Sequence, residues 1–499
     1  MLQTIALSSV IGITFLYGLD WALGLFDDAR EPPCMRPSVP LIGHLIGMSR
    51  YGNEYLGQMS NKSTSEIFML RIFNLKIYVS KSRHLIPIIQ KNHKTLSFRP
   101  FIQTAMKALG DGSPQTIEIF GTGMVDDFSL AMKNGLVPGP HLDEQNLRMG
   151  RRVIQDVDQL LNEKEVNLLS WVRHAIVQAS ACGVYGAQHP MRDPKVEAAY
   201  WTWHQHMPSH FTGMDLTGTG YKARQVVFDV YVEYYKHIPD DASRLVHERQ
   251  RVLRESGISK QDSDRIEATF TTAIFGNTAP TMFWALWEPF SRPEIVAELR
   301  QELERNAVTG SKQEGFKIDV ASLKRKCPLL LSVLQETQRI RQVHANIRKV
   351  TSDTVLDGRY LLKAGNYLQM PGNPIHMDTT LWGQEAQVFD PHRFVPAAGS
   401  EKVSVAANSF TAWGAAPHLC PARQFASTEI LILMALMIMR VDLKPANDSW
   451  ELESSRGELA SLQSPLEDVK VQILPRDDWA GTWSVEMGES KTRVPIASG

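Results

Sequence analysis

The sequence predicts a mainly α-helical fold with a small β portion, organised as one large domain behind an apolar N-terminal segment. Three observations carry that expectation. Apolar residues recur with helical period through most of the middle of the chain. Short runs rich in β-branched and aromatic residues occur only near residues 67–80 and 349–362. The first 26 residues are almost free of charge.

The bulk numbers narrow the classes. The chain has 499 residues and is 43% hydrophobic, enough for a large core. A formal net charge of −1 gives no footprint for nucleic acid. The four cysteines, Cys34, Cys182, Cys327 and Cys420, lie far apart without zinc spacing and read as reduced thiols.

Taken in chain order, residues 2–19 carry no charge, and the apolar character continues past Asp20 to Phe26. That length suits a single bilayer crossing. No basic stretch precedes it and no small-residue cleavage site follows, so a cleaved leader is the weaker reading. A buried N-terminal helix is the alternative. The mixed charges of Asp27, Asp28, Arg30 and Glu31 give no orientation. Pro32, Pro33, Pro37 and Pro40 then stop any helix and make a stiff, extended lead-in. The expected division is an anchor at 1–26, a proline-rich hinge at 27–45 and a catalytic domain at 46–499. Residues 67–72 and 76–80 read as strands; 165–182, 222–235, 264–287, 293–306 and 323–341 read as helices. Short strands follow at 349–351 and 360–362, then a loop-rich stretch at 371–396.

Cys420 is the most informative residue. It ends a Gly/Ala-rich loop, residues 409–419, and precedes the apolar run 424–441. Backbone N–H groups at a helix start favour a thiolate, and Pro421 fits a first turn. Upstream, Glu336 and Arg339 stand at i,i+3 and share a helix face. Alone, such a pair is a surface contact worth at most about 1 kcal/mol. Its meaning grows with Phe389, Asp390 and the run Pro391, His392, Arg393, Phe394. In the predicted helix over 264–287, Gly276, Asn277 and Thr278 precede Pro280, which removes a backbone bond and opens a kink.

These motifs, in this order, resemble the cytochrome P450 family. The resemblance implies haem b with Cys420 as the axial iron ligand, and a thiolate there favours O–O cleavage. It implies a buried network of Glu336, Arg339 and Arg393 that locks the cysteine loop. His418 and Arg348 match positions that meet haem propionates, with a solvent-facing loop residue as the alternative for His418. Trp413 stands where phenylalanine is commoner, and its indole N–H could tune the thiolate. Thr278 with Asn277 matches the place where an alcohol and an acid relay protons to dioxygen. An amide here replaces the acid. Ala416 replaces a usual glycine, a change expected to constrain the loop. The third-helix tryptophan–arginine pair of the family is missing; Arg148, Arg151 and Arg152 are candidates to replace it, or a solvated basic face.

The Gly-Asn-Thr-x-Pro pattern resembles the sterol 7α-hydroxylase and prostacyclin synthase branch, and the divergent loops resemble P450s of fungal specialised metabolism. The implied function is a membrane-bound monooxygenase, in the endoplasmic reticulum with its catalytic domain in the cytosol. O2 and NADPH would be cosubstrates, electrons would arrive through a partner NADPH–cytochrome P450 reductase, and no nucleic acid is involved. The substrate would be an apolar small molecule, a terpenoid or steroid, with Phe275, Met282 and Phe283 lining its pocket. A haem-thiolate isomerase and a non-catalytic haem protein are the alternatives.

Overall fold

The computed structural model describes residues 14, 16–400, 403–415, 418–452, 462–465 and 467–497. The architecture is helix-dominated, with a six-stranded mixed sheet and several two- and three-stranded ones at its margins. Residues 1–13 and 15, most of the expected anchor, lie outside the described residues. Among the described residues no helix is long and apolar enough to cross a membrane.

The six-stranded sheet runs Cys34–Met35, Ile67–Ile72, Leu75–Ser80, Tyr367–Pro371, Ala345–Val350 and Leu96–Ser97. The second and third strands form an antiparallel hairpin around Phe73, whose φ is +52°. The lead-in segment is tied to this sheet. Cys34 and Met35 pair with Met69 and Leu70, Lys76 meets both Asp27 and Glu31, and Tyr78 Oη donates to Glu31 at 2.6 Å.

The core is built on the helix Arg423–Arg440. From Gln424 to Arg440 every residue is buried, as expected of a helix apolar on all sides. Around it pack Pro140–Leu160, Thr278–Phe290, Pro293–Asn306 and Pro328–Arg341.

Prolines decide where helices break. The predicted helix over 323–341 is two helices, Val320–Lys326 and Pro328–Arg341, because Pro328 starts a new first turn. Glu302 caps that turn by accepting from Leu329 N and Leu330 N at 2.8 and 2.9 Å. The predicted helix over 264–287 is likewise Lys260–Phe275 and Thr278–Phe290, interrupted at Gly276 and Asn277. Pro280 has no N–H for the Gly276 carbonyl and its ring crowds that oxygen.

One buried ion pair ties two helices on the far side of the core. Arg249 of Arg244–Glu255 and Glu267 of Lys260–Phe275 are fully buried and bonded, and Tyr235 Oη also donates to Glu267 at 2.7 Å. Replacing Arg249 by Met leaves Glu267 charged and unpaired, so stability should fall by about 3–5 kcal/mol. The double variant Arg249→Met, Glu267→Leu should regain most of it. Denaturant melts of wild type and both variants check the difference.

Candidate active site

The site is assembled around the fully buried carboxylate of Glu336. Arg339 Nε and Nη2 donate to its two oxygens at 2.7 Å each, a bidentate pair. Arg393 Nε donates to Oε1 at 3.1 Å, as does the Asp390 N–H. The structure thus brings Glu336, Arg339 and Arg393 together. The remaining guanidinium donors staple loop backbone: Arg339 Nη1 reaches the His376 and Ala386 carbonyls, and Arg393 reaches Trp382, Glu385 and Val388.

His376 carries this order to the cysteine loop. Its Nδ1 donates to the Arg339 carbonyl at 3.1 Å, which leaves Nε2 bare to accept the Thr411 N–H at 2.9 Å. Gln342 Nε2 donates to the Thr411 carbonyl, and the ring of Phe410 stacks on His376. Phe394 packs on Phe410, and its N–H donates to Ser332 Oγ at 2.8 Å. Neither His376 nor Gln342 is marked in the sequence: both roles arise from contacts between distant segments.

The cysteine loop is a tight antiparallel hairpin, Gly414 opposite Leu419 and Ala415 opposite His418. Gly414 has φ +88°, and a Cβ there would meet the His418 carbonyl at 2.7 Å, so glycine is required. Cys420 N donates to the Trp413 carbonyl at 2.8 Å, closing the hairpin. Trp413 itself packs partly buried against the core. Burial pushes the Cys420 thiol up, against the pull of the Ala422 and Arg423 N–H groups and the Arg423 charge. Those donors aim at the sulfur, as a thiolate ligand needs. Ala416 lies outside the described residues.

Cationic groups gather beside the hairpin. Arg348 is buried, and among the described residues it has no carboxylate partner; its guanidinium bonds the Ile347 carbonyl and Gln90. His418 is held below the usual imidazole range by partial burial and then by the charges of Arg348, Lys133 and His93. A buried cation beside further positive groups suits a ligand that brings carboxylates. With Cys420, this donor set fits haem: a thiol for the iron and Arg348, His418 and Lys133 for two propionates. Lys133 escapes the sequence reading, because one lysine near the end of Met124–Gly135 has no distinguishing pattern. The proposed substitutes lie elsewhere. Arg148 donates to the Gly183 carbonyl, Arg152 pairs with Asp156, and Arg151 is exposed.

At the interrupted helix, Ala273 and Asn277 stand exposed on one face while Phe275, Gly276, Thr278 and Ala279 are buried. Thr278 Oγ1 donates to the Ile274 carbonyl at 2.9 Å, and Thr281 Oγ1 to the Asn277 carbonyl at 2.7 Å. Phe283 is buried and packs against Trp284 and Trp287.

The His376 geometry gives a testable pH dependence. Burial, with the Arg339 charge adding to it, holds its ring down to about 3, against the bond to the Arg339 carbonyl. The unfolded state takes up a proton below about 6.5, and the folded state does not until much lower. Stability is therefore full above about pH 6.5 and falls by about 1.4 kcal/mol per pH unit below it on account of this ring. His376→Gln should show a shallower loss between pH 6 and 4.5 in thermal melts.

Residues 221–471 match the family model described as "Cytochrome P450". The "Cytochrome P450 monooxygenase nodJ" of Hypoxylon pulicicidum is 31% identical over 504 aligned positions, covering 97% of each chain. A Sus scrofa protein named 5-beta-cholestane-3-alpha,7-alpha-diol 12-alpha-hydroxylase is 32% identical over 217 positions, 40% of this chain and 42% of that one. Among solved structures, the retinoic acid-bound cyanobacterial CYP120A1 superposes with a TM-score of 0.69 at 16% identity, over 89% of this chain and 99% of that one. That likeness shows the shared fold. Family membership implies haem iron and the use of O2. The chain belongs to the cytochrome P450 family and is a cytochrome P450 monooxygenase.

Proposed function

We propose that this protein is a membrane-anchored haem-thiolate monooxygenase that hydroxylates a C–H bond of an apolar, terpenoid- or steroid-sized molecule. Electrons come from NADPH through a separate reductase. The observation that carries the reading is the hairpin that presents Cys420 to its helix-start N–H groups beside the cationic set of Arg348, His418 and Lys133. The relatives named as fungal P450 monooxygenases and as sterol 12α-hydroxylases support the substrate class.

Haem b, when bound, would supply iron for the activation of O2 with two electrons from NADPH, so that one oxygen atom enters the substrate and the other leaves as water. The chain supplies the rest. Cys420 would hold the iron, and Arg348, His418 and Lys133 would hold the propionates. Thr278 and Asn277 hold protons at the helix interruption: the Thr278 hydroxyl is oriented by its bond to Ile274, and its oxygen keeps lone pairs for an incoming donor. Glu336, Arg339, Arg393 and His376 hold the hairpin still.

A cavity of about 930 Å³ opens beside the cysteine loop, lined by Lys133, Lys324, Arg325, Arg423 and Arg493 over an apolar floor of Leu136, Leu331 and Phe394. This positive rim suits an acidic flavodomain. For the anchor, the support is the uncharged run 2–19 and the exposure of Trp21, Leu25 and Phe26. The placement that follows is a single pass in the endoplasmic reticulum membrane, with domain 46–499 in the cytosol.

Two experiments test this. In the native host, a Cys420→Ala strain should accumulate a compound one oxygen atom lighter than the product it loses. An accumulated compound of equal mass would instead favour an isomerase. Deleting residues 1–26 should move the protein from the carbonate-resistant membrane fraction to the supernatant. Retention in the membrane would place the attachment elsewhere.

A further inference from the structure

The helix interruption leaves a backbone acceptor without its helical donor and, against the same turn, a buried ring nitrogen without a partner. Because Pro280 lacks an N–H, the Gly276 carbonyl loses its helical donor. On either side of it, Gly276 N donates to the Thr272 carbonyl at 3.1 Å, and Thr281 N and Oγ1 both serve the Asn277 carbonyl. Against this gap lies His204 of the helix Pro194–Thr212. Its Nε2 is 2.9 Å from where a Cβ on Gly276 would stand, so the ring enters the notch that the missing side chain leaves. His204 is 3% exposed, and its Nε2 is buried without a hydrogen-bond partner. Burial, and then the Arg173 charge, hold the ring down to about 4, so it is neutral at physiological pH and carries one N–H. A buried donor left unmade costs about 1–3 kcal/mol.

The helix that carries His204 also reaches the roof of the site. Tyr200, His204, Met207 and Phe211 share one face. Tyr200 sits edge-on to Phe275 and its hydroxyl faces the Thr271 carbonyl at 3.5 Å; Thr272 Oγ1 contacts Met207 Sδ at 3.7 Å. At the far end Phe211 stacks on Phe101 of the helix Arg99–Ala108. That helix has no fully buried residue, and Phe98, just before it, lies under the Arg348 guanidinium. The helix that carries His204 thus touches the interruption beside Asn277 directly, and reaches the cationic side of the site only through the segment of Phe98 and Phe101.

We propose that His204 is a positioning residue that couples substrate seating to the oxygen site: a small shift of Pro194–Thr212 lets its Nε2–H donate to the Gly276 carbonyl and fixes the width of the interruption that carries Asn277. The inference rests on the reading above, that this interruption flanks the oxygen site. In the structure the ring fills the notch with its donor unmade, which is one of the two states. Seating a molecule under the roof drives the second.

The test compares His204→Phe, which keeps a planar ring and removes the N–H, with His204→Gln, which keeps a side-chain N–H. The probe is the compound that accumulates in the Cys420→Ala strain, added to the purified haem-loaded proteins. The infrared C–O stretch of the carbon monoxide complex reads the distal surroundings, and product formed per NADPH consumed reads the coupling. Wild type should show a shift of the stretch on adding the compound, and His204→Gln should keep it. His204→Phe should lose the shift, and its product yield per NADPH should fall about tenfold, the worth of one hydrogen bond. Its melting temperature should not fall, since no existing bond is removed. A His204→Phe protein with an unchanged shift and yield overturns the proposal. If the wild-type carbon monoxide complex lacks the thiolate-type absorption, the Cys420 assignment fails, and this proposal falls with it.

Discussion

Glu336 is sealed from water, and an isolated buried carboxylate would cost several kcal/mol. Two guanidiniums and the Asp390 N–H satisfy it, and each guanidinium spends its other donors on loop carbonyls. The charge therefore does more than stabilise one helix. It fixes the positions of residues 376–393, which by themselves have only two one-turn helices to order them. His376 passes that position on to Thr411, and Thr411 begins the segment that folds into the Cys420 hairpin. Removing Glu336 leaves both guanidiniums without their carboxylate, and removing Arg339 takes away its bidentate partner, so the members depend on one another.

The proposed chemistry depends on this rigidity. A thiolate ligand must present its sulfur at one distance and one angle, and a hairpin tied at Thr411, Trp413 and Gly414 has little freedom to drift. The helix interruption follows the opposite logic. Pro280 and Gly276 loosen the helix where Asn277 and Thr278 stand, which under the proposed function would give adjustable geometry for delivering protons, while the hairpin keeps the cysteine fixed.

Much of this was legible in the residues. Periodicity located the helices over 165–182, 222–235 and 293–306 but missed others as long as Pro140–Leu160 and Pro194–Thr212, and it was the family resemblance that implied one network of Glu336, Arg339 and Arg393 behind Cys420. The misses have physical causes. Residues 323–341 read as continuous because their apolar period continues across Cys327, whereas Pro328 restarts the backbone. His376 acts through contacts with residues 35 and 37 positions away, and Lys133 stands at the end of an ordinary amphipathic helix, where no local pattern distinguishes either. Arg148 and Arg152 had the right composition, but Gly183 and Asp156 engage them.

The most direct test of the account is the absorption spectrum of the reduced carbon monoxide complex of purified wild-type protein and of Glu336→Gln. Wild type should show the long-wavelength band that a thiolate ligand produces. In Glu336→Gln that band should collapse to the shorter-wavelength form as the Cys420 loop loses its anchor. A wild-type protein without the thiolate band, or a Glu336→Gln protein that keeps it in full, would contradict the claim that this buried network holds the cysteine in place.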